Sequence, residues 1–396
     1  MNGWSISSLG LILVIACLVA MITRRLGLPY SVGLVAAGLA LALGPTTGQF
    51  ELSSELILQI LLPPLIFEGA LQLEWKRFRR ELPVTLTLAF GGVIIGACLI
   101  ASGMHYLLGW SWLGAAFFGA LIAATDPVSV IAAFREMKAE PRLSMVVESE
   151  SLLNDGVAAV AFAILLLVAG GVEPTGGFVA LSALTTIGAG IAAGAVAAAA
   201  VLIIAGRTDD HLVEITLTTV AAYGSYMLAE HWHGSGVLAS LTAGLMIGNF
   251  GWMGSISDDG RDYILGFWEY VAFLANSVVF ILIGFHAAHQ PLTLWPAAIA
   301  ISLVLLGRAL AVYPLALPFS RSSLKLPASH MHVLFWGGLR GALGLALALS
   351  VPASVPERQQ IVVLAFAVVA FSVFVQGLTM PWLLRRLRLV ESDEHD

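Results

Sequence analysis

Apolar runs long enough to cross a bilayer recur along the whole chain, separated by short polar stretches. Thirteen can be counted, at roughly 4–22, 29–44, 54–73, 82–106, 111–134, 143–169, 176–205, 212–230, 235–250, 263–285, 292–317, 330–351 and 359–384. A helix needs about 20 such residues to cross about 30 Å of hydrocarbon. The pattern predicts an all-α polytopic membrane protein with about 13 transmembrane helices. Met1-Asn2-Gly3-Trp4 carries no basic residue ahead of its apolar run, so the first run reads as a membrane helix rather than a cleaved leader. No soluble domain is expected between the runs.

The loop charges test this count. Lys and Arg collect on the cytoplasmic side of membrane proteins. With thirteen spans, the loops after odd-numbered spans hold 16 of the 19 basic residues, and Arg358 alone lies on the other side. Arg308 and Arg340 fall inside spans. A missed helix would swap every later loop. The expectation is an N-terminus outside, a C-terminus in the cytoplasm, and residence in a bacterial or archaeal cell membrane.

Composition agrees. Of the 396 residues, 59% are hydrophobic and 11% charged, against about 25% charged in a soluble domain. Cys17 and Cys98 both sit in apolar runs and read as free, buried thiols, without a disulfide framework or a metal cluster. Trp110 and Trp112 open a span and read as part of an interfacial belt.

Against this background two aspartates stand out. Asp126 lies in Ala123-Ala124-Thr125-Asp126-Pro127-Val128, inside span 5. Asp155 lies in Glu150-Ser151-Leu152-Leu153-Asn154-Asp155-Gly156 of span 6. A charge at the bilayer centre costs about 2.5–3.5 kcal/mol on insertion scales, and such residues mark ion or proton pathways. Pro127 removes a backbone donor and disfavours helix at Asp126, which frees nearby carbonyls. Unwound backbone at that depth must line a cavity or be buried in protein.

Span 12 carries a second interruption, Trp336-Gly337-Gly338-Leu339-Arg340-Gly341, seven spans later and therefore in reversed orientation. Spans 3 and 10 match more loosely, Phe67-Glu68-Gly69-Ala70 against Ile283-Gly284-Phe285-His286. Interrupted helices at corresponding places in two halves point to an inverted repeat with a midplane transport site.

A carboxylate, a hydroxyl and loose carbonyls form a hard oxygen site suited to a hard cation. In span 6, Ser151 and Asp155 share a helix face and Asn154 borders it. Two carboxylates in a poorly solvated cavity are costly unless protonated or neutralised by a cation. A cation and a proton then compete for one group, which with alternating access suffices for antiport. Glu150 needs a buried partner; Arg308 fits that role, the alternative being Glu150 as an ion ligand. Arg340 is expected to neutralise carbonyl ends at the span 12 break. Glu148 is a candidate for the entrance, with an exposed face as the other reading. Glu68 is a candidate for lining the funnel or touching the ion, against an interfacial role beside the basic loop. Asn276 and His286 are weaker candidates. His231 and His233 flank Trp232 without further ligands in view.

With these residues placed, the chain resembles the monovalent cation:proton antiporter family, in its NhaP and sodium/proton exchanger branch. The likeness rests on Ala124-Thr125-Asp126-Pro127, on Glu148-Ser149-Glu150-Ser151-Leu152-Leu153-Asn154-Asp155-Gly156, on Phe67-Glu68-Gly69-Ala70 and on Gly337-Gly338-Leu339-Arg340-Gly341. It covers essentially the whole chain; Ser149 departs from a frequent Gly. The resemblance implies an inverted-repeat antiporter fold in which spans 5 and 12 cross as unwound helices. It implies a homodimer, with a mobile core near 82–169 and 292–388 moving like an elevator against a dimerisation part near 1–73 and 176–285. Asp155 would be the essential carboxylate, and Thr125, Asp126, Ser151 and Asn154 the remaining sodium ligands. Glu150 and Arg308 would form a structural ion pair. Asn154 before Asp155 implies electroneutral one-for-one exchange of sodium, and lithium, for protons, serving pH homeostasis. A regulatory tail is not expected, nor is a cofactor or a nucleic-acid partner; cations, protons and membrane lipids are the partners.

Two rivals stand beside this reading. A potassium/proton antiporter could use the same scaffold, because ligand distances cannot be read from sequence. An intramembrane protease could use paired aspartates, but Gly-x-Gly-Asp and His-Glu-x-x-His are both missing, so a transporter rather than an enzyme is expected. A passive channel would not need carboxylates at two helix breaks.

Overall fold

The computed structural model describes residues 6–44, 52–291 and 293–390, and every regular element among them is a helix. In chain order these are α1 Ile6–Leu26, α2 Tyr30–Ala42, α3 Leu62–Gln72, α4 Trp75–Leu86, α5 Gly92–Leu108, α6 Trp112–Ala123, α7 Val128–Glu136, α8 Pro141–Ala169 and α9 Gly176–Ala205. They continue as α10 His211–His231, α11 Gly236–Phe250, α12 Asp258–Ala287, α13 Leu294–Ala316, α14 Ala328–Trp336, α15 Ala342–Ser350, α16 Arg358–Phe371 and α17 Leu378–Arg386. Short π-helical stretches lead into α3 and join α4 to α5 and α16 to α17.

Eight helices among the described residues are long and apolar enough to cross a membrane, and Tyr30–Ala42, Leu56–Gln72 and Trp112–Ala123 are shorter apolar ones. Each apolar run of the sequence coincides with a helix or a pair of half-helices. Residues 4 and 5 of the first run and residue 292 of the run 292–317 lie outside the described residues, as do residues 391–396 at the end of the chain. The helix starts follow local chemistry. Ser111, Thr175, Asp210 and Ser235 precede apolar runs, and each side-chain oxygen accepts a backbone N–H of the first turn.

The chain divides into two compact units. One comprises Met1–Ser54, Pro83–Asn154 and Ser277–Asp396; the other Glu55–Leu82 and Asp155–Asn276. The second unit contains neither of the two helix breaks. Phe67 and Leu71 of α3 join Ala198, Val201, Ala221, Ala243, Ile247 and Trp268 in its core. The Trp268 indole N–H donates to Thr218 Oγ1 at 3.0 Å. The first unit contains both interrupted helices, α6/α7 and α14/α15. Val130, Phe134, Val146, Val312, Val333, Leu339 and Met380 form an apolar cluster within it.

Two sequence expectations are corrected. Cys17 and Cys98 are free but exposed rather than buried, because an apolar run in a membrane helix has an outward face that wants no protein cover. Trp110 is buried and packs edge-on against Phe118 with ring centroids 5.7 Å apart. Trp112 is exposed and stacks on His105, so it alone of the two has the surface of a belt residue.

Candidate functional site

The first break separates α6 from α7. Ala124 turns extended at φ −58°, ψ 137°, so the helix stops two residues before Asp126. Pro127 then restarts it as the residue ahead of α7. Asp126 stands at this restart, and its Oδ1 accepts the Val128 N–H at 2.9 Å. A carboxylate there also sits at the positive end of the α7 dipole.

The second break separates α14 from α15, at Gly337–Gly341. The two breaks are joined through their backbones: the Asp126 N–H donates to the Leu339 carbonyl at 2.8 Å. Gly341 lies so close to Asp126 that an added Cβ would stand 2.0 Å from Oδ2. The start of α15 therefore also faces this carboxylate. Gly338 makes a comparable approach to the Arg308 side chain, where an added Cβ would lie 2.7 Å from Nε.

Helix ends inside a membrane must have their carbonyls satisfied. The Arg340 guanidinium Nη1 donates to the carbonyls of Ala123 and Ala124, at 2.9 and 3.0 Å. This corrects the expectation that Arg340 serves its own break. Arg340 follows the end of α14, and the crossing turns it toward the end of α6 instead. The end of α14 is served by Arg308 of α13, whose Nε and Nη2 donate to the Leu334 carbonyl at 3.1 and 2.9 Å.

Arg308 also holds Glu150 of α8 with two parallel bonds, Nη1 to Oε1 at 2.7 Å and Nη2 to Oε2 at 3.0 Å. Glu150 is 1% exposed. Both its oxygens are engaged, and Oε1 further accepts from Asn154 Nδ2 at 3.1 Å. Such a carboxylate has little coordination capacity left for a cation.

Asn154 is the hinge between this pair and the first break. Its Oδ1 accepts the Thr125 N–H at 3.1 Å, and its Nδ2 donates to Thr125 Oγ1 at 2.5 Å. Thr125 Oγ1 lies 2.8 Å from Ser151 Oγ. Thr125, Ser151 and Asn154 are all buried, and so are Glu150, Arg308 and Arg340. Beside them lies a cavity of about 10 Å³, lined by Glu150, Asn154, Arg308 and Arg340 against Gly92, Gly96 and Gly307. That is room for about one water molecule.

The structure thus gathers Thr125, Asp126, Ser151, Asn154, Glu150, Arg308 and Arg340 in one unit. Asp155 is half-buried and follows Asn154 directly in α8, one turn beyond Ser151; the second unit begins with it. Glu148 is half-buried two residues before Glu150. Glu68 belongs to the second unit, where it accepts a hydrogen bond from Gln72 of the same helix. His286 is half-buried, with Nδ1 3.0 Å from the Leu282 carbonyl of its own helix.

Two residues of the site escaped the sequence reading. Ser372 Oγ accepts the Arg340 N–H at 3.1 Å, and Gln376 Nε2 donates to the Trp336 carbonyl at 3.0 Å. Both tie down the second break. The signal was available: they are two buried polar residues four apart in an otherwise apolar run.

The family model described as sodium/hydrogen exchanger, transmembrane, matches residues 11–386. The Na(+)/H(+) antiporter ApNhaP of Aphanothece halophytica is 41% identical over 368 residues, 92% of this chain and 70% of that protein. The Na(+)/H(+) antiporter NhaH of Halobacillus aidingensis is 32% identical, covering 96% of this chain and 97% of its own. Among solved structures, the sodium proton antiporter MjNhaP1 from Methanocaldococcus jannaschii superposes with a TM-score of 0.78 at 23% identity. That match covers 96% of this chain and 98% of the other, and it speaks to the fold.

Proposed function

The chain belongs to the sodium/hydrogen exchanger family, and on that premise we propose that it exchanges sodium, and also lithium, for protons across the membrane. The observation that carries the proposal is the polar node of Thr125, Ser151 and Asn154 at a helix break that also holds Asp126. Hard oxygen donors buried at membrane depth favour a hard cation. Asp155, one turn beyond Ser151 on α8, is the group for which cation and proton compete. Asp126, Thr125, Ser151 and Asn154 complete the proposed ligand set, and Glu68 and Glu148 are proposed to guide ions toward it.

Three of the other buried charges are spoken for. Glu150 is matched by Arg308, and Arg340 is turned onto carbonyls. One titrating carboxylate per cycle then gives electroneutral exchange. Alternating access is proposed to follow an elevator-like movement of the bundle near 82–169 and 292–388. The part near 1–73 and 176–285 is proposed to form a homodimer. The charge asymmetry of the loops supports an N-terminus outside and a cytoplasmic C-terminus.

The test is cation-dependent proton flux in proteoliposomes, with sodium, lithium and potassium given separately and the membrane potential clamped or free. Sodium-driven flux insensitive to potential is the expected result. Flux with potassium alone would keep the mechanism and change the cargo. In the same assay Asp155→Asn is expected to abolish exchange while the protein still folds; retained exchange would remove Asp155 from the mechanism.

A further inference from the structure

The start of α4, directly after its turn from α3, gathers four cations within five residues. Lys76, Arg77, Arg79 and Arg80 occupy the first two turns of the helix Trp75–Leu108 and are all exposed, whereas Phe78 between them is buried. Arg77 pairs with Glu74 at 3.0 Å. Among the described residues, Lys76, Arg79 and Arg80 have no ion-pair partner.

This is not a loose loop. The Trp75 N–H donates to Asn249 Oδ1 at 2.7 Å, and Asn249 Nδ2 donates to the Leu73 carbonyl at 2.9 Å. The second unit therefore fixes the backbone from which the four side chains project. Three residues beyond Asn249, Trp252 carries the Arg261 guanidinium 5.3 Å from its ring centroid, which adds a cation at this end of the unit.

The depth of the turn follows from helix length. Trp75–Leu108 has 34 residues, about 51 Å at 1.5 Å per residue. A bilayer with its headgroups is about 40–45 Å thick. The apolar part of this helix starts only after Leu82, so its basic turns lie among or just beyond the headgroups. Trp75, 38% exposed at the head of the helix, has the amphipathic ring that favours this level. The negative group always present at such a depth is a lipid phosphate, and clustered Lys and Arg next to a span attract anionic lipid.

We propose that Lys76, Arg77, Arg79 and Arg80 form a binding site for the headgroup of an anionic phospholipid, and that its occupancy stabilises the turn joining α3 to α4. The test uses the full chain in neutral detergent, with phosphatidylglycerol, phosphatidylcholine or inorganic phosphate added. Thermal unfolding and native mass spectrometry are the readouts. Phosphatidylglycerol is expected to raise the unfolding midpoint by several degrees more than phosphatidylcholine, to remain as adducts, and to lose its effect in high salt. The Arg79→Gln/Arg80→Gln variant is expected to lose most of the extra shift and the adducts, and Arg79→Lys/Arg80→Lys to keep them. Equal shifts and equal adducts in the Gln variant would overturn the proposal. So would an equal shift from inorganic phosphate, which would assign the patch to a free anion. Should the double Gln variant fail to fold, Lys76→Gln and Arg79→Gln singly are read by adduct number.

Discussion

The two helix breaks solve one problem in different ways. The α6/α7 break is made by a proline, is four residues long, and brings an anion to the start of its second half-helix. The α14/α15 break is made by glycines and brings a cation, which leaves its own break to serve the other. The end of α14 is then served from outside, by α13. A charge at a break therefore need not act on the helix that carries it. The proline break gathers buried polar groups, and the glycine break supplies the close approach that lets the two cross.

The comparison can be broken at several points. The largest effect is expected from Arg308→Ala, which strands Glu150 and uncovers the Leu334 carbonyl at once. A loss of about 3–5 kcal/mol is the magnitude for breaking a buried pair on one side, read from unfolding in detergent. Glu150→Gln/Arg308→Gln should recover much of it, because no buried charge is left unpaired; normal stability in Arg308→Ala would instead return Glu150 to the ion site. Next comes Gly341→Ala. A methyl 2.0 Å from Asp126 Oδ2 forces the breaks apart, and overpacking of this kind costs about 1–3 kcal/mol. Exchange should fall more than stability does, since Thr125 moves with Asp126. Unchanged flux in that variant would uncouple the crossing from the proposed cation site. The smallest effect is expected from Ser372→Ala, which removes the hydroxyl that accepts the Arg340 N–H and lies 3.3 Å from the Arg340 carbonyl; it should cost about 1 kcal/mol, with flux reduced but present.

The helices were legible because membrane depth demands long apolar runs, and the breaks because proline and clustered glycine interrupt them visibly. Asp126, Ser151 and Asn154 were legible because polar groups are conspicuous in such runs. The pairing of Glu150 with Arg308 could be reasoned from scarcity, since two arginines lie at depth. What scarcity cannot say is which carbonyl an arginine reaches. Arg340 was assigned to its neighbour in sequence, whereas crossing makes Ala123 its neighbour in space. Ser372 and Gln376 have no charged neighbour to draw the eye, unlike Ser151 beside Glu150 and Asn154 beside Asp155, although their bonds hold the glycine break. Trp110 and the cysteines were misjudged for a common reason: hydropathy tells that a residue is in the membrane, not whether it faces lipid or protein.

The long reach of Arg340 bears on how the protein is made. The Ala123 carbonyl is satisfied by a side chain 217 residues later, and Glu150 by one 158 residues later. Spans 5 and 6 thus enter the membrane during synthesis with an open helix end and a carboxylate whose counter-charges are still untranslated. Their final seating has to wait until α13 and the break between α14 and α15 emerge from the ribosome. The crossing is therefore among the last features to assemble, and a chain stopped before Arg308 should be recognised by quality-control proteases as unfinished, however many of its helices are already inserted.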